Sequence, residues 1–375
     1  MNKHQRDVAA AIAMVERNYA GYTDKRNRFG AGKIDAEARR ARRAAISART
    51  TKDCVRILNR WMRVFRDKHI GALILDKPGQ PTKCGVTKKA HASRRFAANR
   101  SLEPTVRALS EKTFAITVPS FGLEYKTTLE ALTKRYDADI KRCPNLIIDL
   151  RGNSGGSDST FSPLLPYLYT QPSVEVGADV LATKANADAW QALITPITKQ
   201  GKATPVSRFR AKWLIPKREK RARAWVMKIV KKMRAAREGT FVSCGADSRH
   251  RLSRVLARPS RIGILTDGGC GSTTEQFLLL ARKSRKVILF GQPTTGCLDY
   301  SNVRLFPLPS GNCALAIATT RSRRLPADPI DGIGIKPDVR IRKARVLRSA
   351  GDHTLDFVQE YLERRSPRLK RAKAR

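Results

Sequence analysis

Two stretches of this sequence each read as strand, helix and strand, and this repetition constrains the fold more than any other feature. The first begins with FAITVPSF at Phe114, continues through an amphipathic helical segment and ends with NLIIDL at Asn145. The second begins with RIGILT at Arg261, continues through TTEQFLLLARKS and ends with KVILFG at Lys286. Parallel strands joined by a helix form a βαβ unit. The sequence therefore predicts an α/β (α+β) fold built on a parallel sheet.

Each unit also contains a glycine-rich turn next to a buried strand. NLIIDL runs into Arg-Gly-Asn-Ser-Gly-Gly, and RIGILT runs into Asp-Gly-Gly-Cys-Gly-Ser, which places Ser272 directly before a helix. Ligands of α/β folds bind at the carboxyl ends of the strands, where such turns gather. Backbone N–H groups at a helix start point outward, and Gly155 and Gly156 have no side chain to keep a substrate away. A serine beside such donors suits acyl transfer.

Ser272 also has an ordinary structural interpretation. Together with Glu275 it forms the S-x-x-E pattern of a helix capping box. The turn is not a phosphate-binding loop of the G-x-x-x-x-G-K-[ST] type, because no lysine follows the glycines. The G-x-S-x-G elbow of the α/β-hydrolases is absent as well. From these residues alone, nucleophile and N-cap both remain open.

The rest of the sequence divides by composition and periodicity. Residues 1–70 carry apolar residues at helical spacing and predict an N-terminal helical domain, whereas residues 71–112 read as a linker with short strands. The α/β domain is expected over residues 113–345, interrupted by a very basic helical insert at residues 187–237. Residues 346–375 predict a C-terminal helix followed by a basic tail.

The chain is strongly basic. Lysine and arginine number 75 against 32 aspartates and glutamates, a formal net charge of +43. Such an excess attracts anionic polymers or surfaces, although a solvated basic surface is its ordinary explanation. The seven cysteines show no zinc-binding spacing, so we expect no metal and no cofactor. No apolar run is long enough for a transmembrane segment, and the sequence does not define an oligomeric state.

Three segments resemble peptidase family S41, the tail-specific or C-terminal processing proteases. They are LIIDLRGNSGG, GSTTEQFLLLARKSRKVILFGQPTTG and IDGIGIKPDVRI, in the order that the family has. The resemblance implies a ClpP/crotonase-like βαβ catalytic domain over residues 113–345. It further implies a peptide or protein substrate, with Ser272 as nucleophile of an acyl-enzyme. The backbone N–H of Thr273 and that of Gly155 or Gly156 would form the oxyanion hole.

The general base departs from the usual family pattern. Processing proteases use a lysine at the position where this chain has Cys297, whereas a second branch, which includes the tricorn core protease, uses a histidine and a carboxylate. FRDKHIG resembles the segment that carries that histidine and points to His69, and PIDGIG points to Asp331. The alternatives are a structural histidine and an ordinary Asp-Gly turn. The sequence leaves three interpretations of Cys297 open: a free thiol, a disulfide partner of Cys270 or a nucleophile.

Two further expectations follow from the resemblance. Residues 70–112 are too few for the PDZ domain that processing proteases carry between the N-terminal helices and the catalytic part, so we expect none. Relatives are usually exported, which implies a periplasmic or secreted protein, yet the first residues show no signal peptide. The alternative functions are a catalytically degenerate member that acts as a binding protein, and a basic protein that binds anionic polymers.

Overall fold

The computed structural model describes residues 1–75, 103–195, 215, 217, 219–341 and 352–364. The α-helices are α1 Lys3–Asn18, α2 Tyr22–Phe29, α3 Ala31–Ala44, α4 Thr51–Met62, α5 Lys126–Arg135, α6 Asp137–Arg142, α7 Asp158–Phe161, α8 Leu165–Leu168, α9 Lys184–Gln191, α10 Lys220–Ala235, α11 Thr273–Ala281 and α12 His353–Glu363. The strands are β1 Ile70–Ile74, β2 Thr105–Ser110, β3 Thr113–Thr117, β4 Asn145–Asp149, β5 Ser173–Glu175, β6 Ala178–Leu181, β7 Phe241–Ser243, β8 Ser248–His250, β9 Arg261–Thr266, β10 Val287–Gly291, β11 Tyr300–Pro307, β12 Cys313–Ser322 and β13 Val339–Arg340.

The chain forms two compact units, each assembled from separated stretches of sequence. The first unit takes its described residues from Met1–Lys89, Val176–Asp247 and Asp299–Gly332. The second takes them from Ala90–Glu175, Ser248–Leu298 and Ile333–Arg375. The domain boundaries proposed from the sequence remain a prediction. Parts of the expected linker, basic insert and tail lie outside the described residues.

The second unit contains the predicted parallel sheet. Its strand order is β13-β10-β9-β4-β3-β2, with every neighbouring pair parallel except β2 and β3. The parallel pairings β3–β4 and β9–β10, which the two βαβ units predicted, are confirmed. Because β4 and β9 are direct neighbours, the glycine-rich turns that follow them leave the same edge of the sheet.

Continuous apolar sequence explains why β4 lies at the centre of this sheet. All five residues of Asn145–Asp149 are buried, as expected for a parallel strand covered on both faces. On one face, Ile147 of β4 packs in a cluster with Leu265, Phe290 and the apolar side of α12, which includes Val358. This packing holds the strands from which both turns emerge.

One helix differs from its prediction. The amphipathic stretch between β3 and β4 predicted a single helix, but it is interrupted at Tyr136, where φ is −99° and ψ is 10°. The new helix α6 begins at Asp137 and carries Asp139 in its first turn, where acidic side chains favour a helix start. The prediction of one continuous helix was therefore wrong, although helices do connect β3 to β4 as expected.

The first unit combines the N-terminal helices with an antiparallel sheet. Its strands are ordered β1-β12-β6-β7, with β11 also paired to β12 in an antiparallel hairpin. The four helices that precede β1 confirm the helical prediction for residues 1–70. Helix α10 packs Val226, Ile229 and Met233 against Trp190 and leaves Lys228 and Lys231 exposed. Among the described residues, no helix is long and apolar enough to span a membrane.

Candidate active site

The turn after β4 is built around the side chain of Asn153. Its Oδ1 accepts the backbone N–H of Gly155 at 3.0 Å, and its Nδ2 donates to the Val118 carbonyl at 3.0 Å. Gly155 and Gly156 have φ values of 108° and 150°, a region that side-chain-bearing residues rarely adopt. Asn153 also accepts the Thr274 hydroxyl at 2.8 Å, so it ties this turn to the start of α11.

Ser272 is the N-cap residue of α11 and has an unusual backbone. Its φ of 55° and ψ of −123° differ from the extended conformation that N-cap residues normally adopt. A non-glycine residue with positive φ is uncommon, and such strain gathers at functional sites. The side chain is partly exposed, whereas the following residues Thr273, Thr274 and Glu275 are buried. The structure thus presents this serine at a tight strand-to-helix turn.

The buried carboxylate of Glu275 organises that turn. Its Oε2 accepts the backbone N–H groups of Ser272 at 3.1 Å and Cys297 at 2.9 Å. Its Oε1 accepts the Thr294 hydroxyl at 2.5 Å and the Gly296 N–H at 2.7 Å. Glu275 is 0% exposed, so these four donors replace water around its charge. The capping-box pattern predicted only the bond to Ser272.

The backbone N–H groups expected to form the oxyanion hole differ in whether they already donate a hydrogen bond. The Gly155 N–H is taken by Asn153, as described above. Within the described chain, the backbone N–H groups of Thr273 and Gly156 donate to no carbonyl or side chain. A Cβ built on Gly155 would lie 2.9 Å from the Thr273 nitrogen, so the two turns are in direct backbone contact. Two unengaged N–H groups therefore lie on adjoining turns beside Ser272.

The two cysteines near this turn are not disulfide bonded in the described structure. Cys270 is fully buried, and its Sγ donates to the Leu150 carbonyl at 3.0 Å. Burial raises the pKa of the Cys270 thiol well above its ordinary value. Cys297 is 6% exposed, and its Sγ would lie 2.8 Å from a Cβ added to Gly271. Cys270 thus packs as a neutral thiol under the turn.

His69 lies in the first unit, directly before β1. Asp67 fixes its backbone, because Oδ1 of Asp67 accepts the His69 N–H at 2.7 Å while Oδ2 accepts the Tyr19 hydroxyl at 2.6 Å. Nδ1 of the imidazole contacts the Tyr300 carbonyl at 2.6 Å. Since a carbonyl oxygen only accepts hydrogen bonds, the hydrogen is on Nδ1, and Nε2 of the neutral ring is an acceptor.

Asp331 lies in the same unit as His69 and is engaged by other groups. Its Oδ2 is 3.1 Å from Nζ of Lys25, and both side chains are buried. Its Oδ1 accepts the backbone N–H of Asp299 at 2.9 Å, and Asp299 directly precedes Tyr300. Burial and the charge of Asp67 raise the pKa of the Asp331 carboxyl, which Lys25 opposes. Asp331 therefore supports the backbone segment whose carbonyl holds His69.

The structure thus divides the expected site residues between its units. Ser272, Thr273, Gly155 and Gly156 lie together in the second, and His69 and Asp331 lie in the first. Asn153 was not predicted, because its only signal in the sequence is its place in a glycine-rich turn. The Tyr300 carbonyl was not predicted either, since the sequence does not show what a backbone oxygen contacts. Among the described residues, only His4, Asp7 and Cys54 have ligand atoms grouped for a metal ion.

Comparison with known proteins identifies a family and solved structures of similar fold. The model of peptidase family S41 matches residues 112–341. A solved protein from Parabacteroides merdae ATCC 43184 aligns at 13% identity over 98% of each chain, with a TM-score of 0.54. Mature CPAF complexed with lactacystin aligns at 13% identity over 96% of each chain, with a TM-score of 0.58. Tricorn protease aligns at 10% identity over 96% of this chain and 37% of its own, with a TM-score of 0.50.

At these identities the structural likeness shows the fold alone, and it confirms the S41-type α/β fold expected from the sequence. No curated protein sequence matches the chain.

Proposed function

The chain belongs to peptidase family S41, and from this membership we propose that it is a serine peptidase that hydrolyses peptide bonds through an acyl-enzyme. Ser272 is its nucleophile. The observation that carries the proposal is the backbone of Ser272, whose φ of 55° presents the residue at the start of a buried helix beside a glycine turn. An N-cap residue alone does not require this conformation, because the ordinary N-cap backbone is extended.

We assign the oxyanion hole to the backbone N–H groups of Thr273 and Gly156. Both are unengaged among the described residues, whereas the Gly155 N–H is committed to Asn153. A negative charge that develops on the carbonyl oxygen is stabilised by two preorganised donors of this kind. The start of α11 adds the positive end of a helix dipole. The sequence left open whether Gly155 or Gly156 supplies the second oxyanion donor, and the hydrogen bonding supports Gly156.

We propose His69 as the general base. This assignment would place the chain in the branch of the family that uses a histidine. Support comes from the Tyr300 carbonyl, which fixes the tautomer with Nε2 as the proton acceptor. Cys297 stands where the lysine branch has its base, and a thiol cannot serve as that lysine does. Asp331 is proposed as a positioning residue that acts through Asp299 and the Tyr300 backbone.

In the proposed reaction, Oγ of Ser272 attacks the carbonyl carbon of the scissile bond while Nε2 of His69 takes the hydroxyl proton. The carbonyl oxygen becomes an oxyanion held by the two N–H groups. The C–N bond then breaks, and the imidazolium gives its proton to the leaving amine. Water, deprotonated by the same imidazole, hydrolyses the ester and restores Ser272. The substrate that family membership implies is a peptide or a protein.

Hydrolysis of fluorescein-labelled casein tests this function. We expect the purified chain to cleave the substrate, and Ser272→Ala and His69→Gln each to lower the rate by about 10⁴-fold or more. Matched controls are Ser260→Ala and His250→Gln, which lie outside the proposed machinery and keep parental activity. Ser260 donates to the Pro144 carbonyl, and His250 pairs with Glu175.

Three results would contradict the proposal, each in a different part. Cleavage that survives Ser272→Ala would remove the nucleophile assignment. A parent that is folded yet cleaves no peptide bond in a range of unfolded proteins would indicate the catalytically degenerate alternative. Loss of activity in Ser272→Ala alone, with His69→Gln fully active, would leave the serine and overturn the base.

A further inference from the structure

A buried cluster of metal-ligand side chains lies in the first unit, and none of its members belongs to the proposed catalytic machinery. The ligand atoms of His4, Asp7 and Cys54 lie within 4.8 Å of one another. Cys313 adjoins them, with its Sγ 3.7 Å from Oδ2 of Asp7. His4 is 3% exposed, and the other three side chains are fully buried.

The imidazole of His4 has no hydrogen-bond partner. Both ring nitrogens are buried, and neither finds a donor or acceptor among the described residues. A neutral imidazole has one N–H donor and one acceptor nitrogen, so both of its polar functions are unsatisfied here. Leaving a buried polar group unsatisfied costs about 1–3 kcal/mol. A metal ion bound to one nitrogen would remove much of this cost.

The carboxylate of Asp7 is buried and accepts two hydrogen bonds. Its Oδ1 accepts the backbone N–H of Ser310 at 2.9 Å, and its Oδ2 accepts the Cys313 thiol. Asp7 takes part in none of the salt bridges among the described residues, although it is 0% exposed. A buried charge is normally paired or coordinates a metal. The cluster therefore offers a carboxylate and further lone pairs that form no salt bridge with any described residue.

We propose that His4, Asp7, Cys54 and Cys313 bind one divalent transition-metal ion, for which Zn²⁺ has the best-matched chemistry. Imidazole nitrogen, carboxylate oxygen and thiolate sulfur are the ligands that zinc takes in tetrahedral sites, at about 2.0–2.3 Å. Four ligands in a buried position make a closed, structural site without an open coordination position. On binding, the two thiols lose their protons to solvent and become thiolates.

The fold prepares this site on three separate elements. His4 and Asp7 lie on one face of α1 at a spacing of one turn, Cys54 lies on α4 and Cys313 begins β12. The Asn2 side chain caps α1 by accepting the His4 N–H at 3.0 Å, which fixes the backbone of the first ligand. A bound ion would join both helices to the strand. No short sequence motif reveals the site, because its ligands are far apart along the chain.

Metal analysis of the full-length protein, purified under reducing conditions from zinc-supplemented cells, tests the proposal. We expect about one zinc per chain, lost on chelation, and a fall in the melting temperature with it. Refilling with Co²⁺ should give the visible absorption of a tetrahedral site and a near-ultraviolet thiolate-to-metal band. His4→Gln and Cys54→Ser should lose the metal and the spectrum. The matched controls Cys244→Ser and His250→Gln should keep both.

Three outcomes would overturn the proposal. One is a parent that retains no zinc and gives no Co²⁺ spectrum. Another is metal content unchanged in His4→Gln and Cys54→Ser, which would place binding elsewhere. The third is peptide mapping of the non-reduced protein that finds Cys54 disulfide-bonded to Cys313. If the variants fail to fold, the Co²⁺ spectrum of the parent decides alone, because thiolate ligation has its own absorption band.

Discussion

Glu275 shows at the scale of one residue how the candidate site is held in place. Each of its carboxylate oxygens accepts two hydrogen bonds, one pair from Ser272 and Cys297 and the other from Thr294 and Gly296. The nucleophile turn and the loop after β10 therefore share one buried acceptor. A change in this side chain acts on Ser272 without touching the reacting atoms.

Substituting Glu275→Gln tests that role. In either orientation, the amide NH₂ faces two donors that formerly met an oxygen, so at least two buried donors lose their acceptor. At about 1–3 kcal/mol for each unsatisfied group, we expect the unfolding free energy to fall by about 2–6 kcal/mol. Casein hydrolysis should fall at least tenfold, since the Ser272 backbone loses its support.

Glu363→Gln is the control, because Glu363 accepts two hydroxyl groups through a single oxygen that glutamine retains. Urea denaturation and the hydrolysis rate are measured for both variants. A Glu275→Gln protein with parental stability and activity would show that the carboxylate does not organise the turn.

At this scale the sequence revealed residue types better than their conformations. The S-x-x-E pattern marked Ser272 and Glu275, because a capping box depends on local spacing. The positive φ of Ser272 left no trace, since it depends on the turn after β4 packing against its backbone. Nor could the sequence show that a backbone oxygen of Tyr300, instead of a carboxylate, contacts His69.

At the scale of elements, the close approach of the turn after β4 to helix α11 shapes the site. The absent side chain of Gly155 makes this approach possible. A Cβ there would lie 2.8 Å from both the Gly271 carbonyl and the Ser272 Cβ. Such distances are shorter than real Cβ atoms show, so one of the two elements would have to move.

Substituting Gly155→Ala should therefore separate the two elements. We expect casein hydrolysis to fall at least 100-fold, because the second oxyanion donor and Ser272 shift relative to each other. Gly30→Ala is the matched control. Gly30 also has positive φ, at 89°, but its Cβ would meet nothing within 4 Å.

The control should therefore show only backbone strain, about 1–2 kcal/mol of stability, with full activity. Thermal unfolding and casein hydrolysis are measured on both variants. Equal activity in Gly155→Ala and Gly30→Ala would refute the importance of the contact.

Elements with long apolar runs were the ones that the sequence predicted correctly. Strands β4 and β9 each contain a run of apolar residues because both faces are covered, so the sequence reveals them without any partner. The helix break at Tyr136 was missed, since both halves keep helical periodicity. The short strands β5 and β8 were missed as well. They have three residues each and are stabilised only by pairing across a long stretch of chain.

At the scale of the whole molecule, the net charge of +43 is the main feature that the proposed peptidase activity does not use. The exposed side of α10 displays part of it, in Lys220, Arg221, Lys228 and Lys231. We propose that this surface binds anionic polymers by charge alone. Such binding releases counterions and therefore weakens linearly with salt on a logarithmic scale.

A short DNA duplex serves as the anionic polymer in this test. We expect its affinity to fall steeply between low and physiological salt, and the Lys228→Gln/Lys231→Gln variant to reduce the slope by about 1–2. A Lys112→Gln/Lys134→Gln variant removes the same charge from exposed positions in the second unit and is the control. Fluorescence anisotropy at several salt concentrations measures both.

Binding that does not depend on salt, or that responds equally to both double variants, would contradict a defined basic surface on α10.

The sequence predicted this charge, but it did not predict that the two units would each be assembled from separated stretches of the chain. Each unit combines stretches far apart in the chain, and a pairing such as β1 with β12 depends on tertiary contacts that local periodicity does not encode.

The central claim is that Ser272 is an activated nucleophile, and active-site labelling tests it most directly. The purified chain is treated with a fluorophosphonate, and the adduct is located by peptide mass spectrometry. We predict one adduct, on Ser272, that is absent in Ser272→Ala and strongly slowed in His69→Gln. A folded parent that takes up no label, or that is labelled at another residue, would contradict the claim.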